Sequence, residues 1–186
     1  MRVRIVSFAV LVALIVVVGA CRPAAPPPPP PELTPMVQGT LNQVMRGILF
    51  PNSNIVFDTQ DRDPGAPPDA NDPAASAHPF AGTYGGWEAV ENAAMAMYEA
   101  SNIITLPGRT CQNGKPVPLN DATYQKGVLA LREASLATYQ AAKDKKQDAM
   151  LDISDKLTQA CATCHDVYRD KIVNGQPAGL DARCTP

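Results

Sequence analysis

No stretch of this 186-residue chain alternates apolar and polar residues over a useful strand length. That argues against a sheet-based fold. It also removes the βαβ setting in which a Cys-x-x-Cys pair works as a thioredoxin-like dithiol. A second Cys-x-x-Cys is missing too, which weakens a structural zinc site, since zinc needs four ligands. No apolar run reaches the roughly 20 residues of a spanning helix; the run from Ile5 to Val18 has 14. Basic residues are not in excess. With 16 Lys+Arg against 18 Asp+Glu the net charge is −2, which argues against nucleic acid as a partner. No nucleophile–base pair or carboxylate dyad stands out, so the chain does not read as an enzyme.

What is present is the pentapeptide Cys161-Ala162-Thr163-Cys164-His165. Cys-x-x-Cys-His is the pattern of c-type haem attachment. Two thiols three residues apart share one helical face and can form thioethers to the two haem vinyls. The adjacent His can then reach the iron as proximal ligand. The bland alternatives are a redox dithiol, or a zinc site drawing on His165, Cys111 and Cys184.

The opening residues predict the compartment. Arg2 and Arg4 precede the apolar run, and Val18-Gly19-Ala20 precede Cys21. This is a secretory signal over residues 1–20, too short for a membrane anchor. Cys after Gly-Ala resembles the bacterial lipobox, so lipidation of Cys21 after cleavage is expected. Acyl chains would supply the membrane affinity lost with the signal. The expected address is the periplasmic side of the bacterial cell envelope, where c-type haem is attached. Cleavage removes Arg2 and Arg4, leaving 14 basic against 18 acidic residues, a net of −4. Haem propionates add to that, which favours a basic docking surface on a redox protein partner.

Residues 21–32 form a tether. Pro26 to Pro31 are six consecutive prolines; such a run adopts polyproline II, and at about 3.1 Å per residue residues 22–31 span roughly 30 Å. The globular part then spans residues 33–186, enough for one domain with one core.

That domain reads as four helices. The first runs from about Thr34 to Phe50, stopped by Pro51. The second runs from Gly86 to Leu106, stopped by Pro107-Gly108. Asn120 caps the third, which continues to Lys143. The fourth ends before Asn174-Gly175. Trp87, Val90, Ala94, Met97, Ser101 and Ile104 form a core stripe, as do Met150, Ile153, Leu157, Cys161, Cys164 and Tyr168. The apolar set of the third is Val128, Leu129, Leu131, Leu136 and Tyr139. That of the first is Val37, Leu41, Val44 and Ile48. Both haem cysteines thus lie on a core-facing stripe, where helical bundles place cofactors.

Four helices with Cys-x-x-Cys-His late in the last resemble the class II c-type cytochromes: cytochrome c′ and its low-spin relatives of the cytochrome c556 type. The resemblance covers residues 33–173. It includes Met45, followed by Ile48-Leu49-Phe50-Pro51, and Leu106-Pro107-Gly108-Arg109 after the second helix. It implies an all-α, antiparallel up-down-up-down four-helix bundle with one covalent haem c. Homodimerisation is common in that family. The loop from Pro51 to Thr83 is longer than a compact cytochrome c′ has.

The sixth iron ligand separates two functions. His/Met ligation raises the potential and suits one-electron transfer. An open distal face suits binding or sensing of small gases. The candidates are Met36, Met45, Met95, Met97 and His78. Met36 and Met45 are nine residues apart, about 180° round a helix; Met45 lies at the edge of the apolar stripe and Met36 off it. In the resembled family a methionine at the place of Met45 is the distal ligand of low-spin members. Met97 reads as core, and His78 as a loop residue at the far end. Parity and an oxidising compartment predict a Cys111–Cys184 disulfide pinning the C-terminal tail over the haem edge. Arg109 is the candidate partner of a haem propionate.

Overall fold

The structure is a computed structural model and describes residues 33–66 and 79–185. The expected signal peptide, Cys21, the proline tether and His78 lie outside the described residues.

Helix α1 begins at Leu41, not Thr34; residues 33–40 are non-helical. The reason is a capping box. Thr40 Oγ1 accepts from Gln43 N at 3.3 Å, and Gln43 Oε1 accepts from Thr40 N at 2.8 Å. The helix also does not stop at Pro51. It runs as α-helix over Leu41–Val44, as π-helix over Met45–Leu49, and as α-helix again over Phe50–Asp58. The π turn explains how Pro51 is passed. Phe50 N–H bonds back to Met45 O, a five-residue step. Pro51 then stands in the first turn of the segment that follows, where its missing N–H and fixed φ do no harm. The extra residue of the π turn also shifts the helical phase. Leu49, rather than Ile48, takes the buried place one turn after Val44.

Helix α2 is Trp87–Ile103, α3 is Ala122–Lys143 and α4 is Met150–Tyr168. Asp121, not Asn120, caps α3, accepting from Thr123 N at 2.8 Å and Tyr124 N at 3.3 Å. All six stripe residues of the second helix are buried, as are Met150, Ile153, Leu157 and Tyr168 of the fourth. The third helix is different. Leu129 is 61% and Leu136 46% exposed. Val128 and Leu131 are buried as expected, with Tyr124, but the rest of the buried face is small: Gly127, Ala134, Ser135, Thr138, Ala141 and Ala142. Ser135 and Thr138 can be buried because each hydroxyl donates to the carbonyl four residues back, at 2.7 and 2.8 Å. Small side chains on α3 let its neighbours approach closely.

After α4 the chain forms a two-stranded hairpin, β1 Ile172–Val173 and β2 Gln176–Pro177. Asn174 and Gly175, expected only as a helix stop, form its turn, both with positive φ (52° and 75°). Pro35–Pro186 is one compact unit, mostly helical. Within it α1 packs on α2, α2 on α3 and α3 on α4, while α1 meets α4 only sparsely. No helix of the described residues is long and apolar enough to cross a membrane.

Candidate functional site

The sparse contact between α1 and α4 has a cause: a cavity of about 700 Å³ lies there. One wall is α4. Its regular turn brings Leu157, Ala160, Cys161, Cys164, His165 and Tyr168 to the cavity. Cys161 and Cys164 are free and half-buried. Burial raises both thiols, Cys164 to about 11, with Cys161 beside it adding to the effect. Such thiols stay protonated at neutral pH, the reverse of an activated exchange dithiol. Burial, then the Arg169 guanidinium, hold His165 below its usual range. Its ring is therefore neutral at pH 7, the form that ligates a metal.

The facing wall is α1, which contributes Leu41, Asn42, Met45, Arg46, Leu49 and Phe50. Met45, the first residue of the π turn, is on this wall. Met36 is not: it precedes the helix and is 76% exposed. Met95 does not line the cavity, but Met97 of α2 does, while fully buried. Two methionines, Met45 and Met97, therefore line the space.

The floor joins α3 to α4. Tyr168 O–H donates to Asp121 Oδ1, and its ring meets Tyr124 edge-on at 5.9 Å. Tyr124 O–H donates to Ile104 O at 3.0 Å. The Tyr168 hydrogen bond, helped by the N–H groups of Thr123 and Tyr124, holds the Asp121 carboxyl below its ordinary range. Burial and then Asp121 push Tyr168 up to about 12. Gly127 faces Cys164 so closely that a Cβ there would clash with the sulfur. Glycine inside a helix costs about 1 kcal/mol against alanine; this contact explains its presence.

The rim is the C-terminal tail. Cys111 and Cys184 are joined by a disulfide, and both border the cavity. Three arginines also border it: Arg46, Arg169 and Arg183. Arg109 is not among them, which corrects its expected role. It is 5% exposed and gives Nε to Ile103 O at 3.2 Å and NH1 to Gly39 O at 2.6 Å. It satisfies an end carbonyl of α2 and ties that end to the segment before α1. The sequence held no signal for Arg46 or Arg183, because neither belongs to a motif. For Arg169 the one-turn spacing from His165 was available.

The donor set fits a covalent haem. Two thiols, a neutral imidazole and a thioether belong to residues that line one largely apolar cavity, with Arg183 among its walls. The same geometry does not favour zinc. Cys111 and Cys184 are consumed by their disulfide. Among the described residues no group of three His, Cys, Asp or Glu converges as a metal site. Comparison of the chain with protein-family models, curated proteins and solved structures finds no match in any of the three.

Proposed function

We propose that this chain is a membrane-tethered, class II-like c-type cytochrome that transfers single electrons, its haem held by Cys161, Cys164, His165 and Met45. The observation that carries the reading is the shared cavity: the attachment pentapeptide on α4 and Met45 on α1 border the same space. The four helices then form an antiparallel up-down-up-down bundle. Haem c supplies an iron that alternates between ferrous and ferric.

The chain's own contribution is attachment, orientation and exclusion of water. Cys161 and Cys164 lie one turn apart on a rigid helix and would hold the group by its two vinyl-derived carbons. His165, neutral because it is buried, offers an imidazole nitrogen without first losing a proton. Met45 offers a soft sulfur, which raises the potential. Leu41, Leu49, Leu131 and Leu157 keep the surroundings apolar, a further control on potential. In the same reading residues 1–20 are a lipoprotein signal, Cys21 is lipidated, and the prolines hold the domain off a bacterial membrane on its periplasmic side. The net charge of the mature chain suits a redox partner with a basic docking surface.

The test is spectroscopic. The full chain is expressed with c-type maturation, and its absorption and electron paramagnetic resonance are recorded. A Soret band on a covalently loaded protein and a low-spin ferric signal are expected. Met45→Ala turns the signal high-spin; Met97→Ala and Met36→Ala leave it low-spin. No Soret band defeats the haem reading. A high-spin wild type replaces electron transfer with five-coordinate gas binding.

A further inference from the structure

We infer that the C-terminal tail is a working part of the haem site: Arg183, held in place by the Cys111–Cys184 disulfide, binds a haem propionate. The inference rests on the haem reading above and adds a carboxylate subsite to it. Beyond α4 the chain turns back, and Cys184 N bonds Tyr168 O at 3.0 Å. The connection between α2 and α3 then clasps the tail. Asn113 Nδ2 reaches Leu180 O and Arg183 O, both at 3.0 Å, and Lys115 Nζ reaches Asp181 O at 2.7 Å. The disulfide closes this clasp. Arg183 and Cys184 thereby become cavity wall, although they are 15 or more residues past α4.

The three cavity arginines differ in what they have left to give. Arg169 is committed to Asp170, its Nε at 2.8 Å from both carboxylate oxygens. Arg46 is exposed to water. Arg183, a residue of the cavity wall, has one long bond, NH1 to Gln112 Oε1 at 3.4 Å, so its terminal nitrogens are barely committed. A guanidinium on a largely apolar cavity wall, with its terminal donors barely used, is best satisfied by an acceptor of opposite charge. The chemistry it asks for is a carboxylate, which guanidinium binds through paired, charge-assisted hydrogen bonds. A porphyrin brings two carboxylates into this cavity.

The experiment uses the loaded protein, kept ferrous with ascorbate. Haem content is measured by pyridine haemochrome, and the propionate bending band by resonance Raman. Arg183→Gln is expected to shift the band without lowering covalent haem content, and Arg183→Lys to shift it less. Dithiothreitol on wild type, which converts the cystine to two thiols as it forms its own cyclic disulfide, moves the band to the Arg183→Gln position. The Cys111→Ser/Cys184→Ser variant does the same. An unmoved band in Arg183→Gln with full covalent haem overturns the subsite alone. A band that moves in Arg183→Gln but not on disulfide cleavage overturns the locking role. A wild type without covalent haem overturns the haem reading instead.

Discussion

Two walls of one cavity are built on opposite plans. α4 is an uninterrupted 19-residue α-helix. It places Cys161 and Cys164 by simple periodicity, above a fully buried Leu157. α1 is interrupted at the cavity by a π turn that begins at Met45, and Pro51 follows close behind. In the proposed function, covalent attachment at two points would need a fixed rail, because both sulfurs would have to meet fixed carbons. A single ligand from the other side needs only a particular phase, and a π turn sets one that a regular helix would not give.

The contrast predicts different costs for truncation on the two walls. Leu157→Ala should destabilise the protein by about 2–5 kcal/mol, the usual cost of truncating a fully buried leucine. Met45→Ala, half-buried on the irregular wall, should cost well under half of that. Denaturant unfolding of the two variants without haem measures both; equal losses would erase the distinction between a regular, tightly packed wall and an irregular one. A smaller effect tests the closeness of α3 to the rail. Gly127→Ala should lose about 1–3 kcal/mol to overpacking against Cys164, partly offset by about 1 kcal/mol of helix propensity. With Cys164→Ala in the background the clash goes and the same substitution becomes stabilising. Absence of that sign change would remove the steric account of Gly127.

The smallest effect concerns the Asp121–Tyr168 bond that ties the rail to the cap of α3. The folded Asp121 carboxyl lies below its ordinary value of 3.8. Its stabilisation is therefore complete above the ordinary range and lost as pH falls through the lowered folded value. Stability should fall as pH drops below the ordinary carboxylate range, and less steeply in Tyr168→Phe. Identical slopes in chemical denaturation would show that another carboxylate governs acid sensitivity.

Much of α2 and α4 was legible because large apolar residues, Trp87, Val90 and Met97 on one and Met150, Ile153 and Leu157 on the other, recur at helical spacing on their buried faces, the pattern periodicity detects. α1 was legible only in part. Its start depends on a side-chain cap at Thr40, and its continuation past Pro51 depends on a π turn that no residue announces. α3 was also legible only in part: Val128 and Leu131 are buried, but Leu129 and Leu136 face water and small residues fill most of the buried face. Burial there is set by how closely neighbouring helices approach and by hydroxyls returning to their own backbone. Arg109 drew attention through its motif, yet its donors serve two backbone carbonyls. Arg183 had no motif, and only the folded tail brings it to the cavity.

By itself the sequence determined a mostly helical chain and, through Cys161, Cys164 and His165, the chemistry of one helical face. Both follow from local rules: spacing, helix period and residue type. Residue type and parity also marked Met45 and the Cys111–Cys184 pair. The tertiary structure decided what else meets that face: Met97 on the same cavity, Gly127 against a sulfur, and Arg183 on the tail that the disulfide returns across 73 residues. Such juxtapositions depend on helix packing and chain closure, where distant residues meet without a local pattern to mark them.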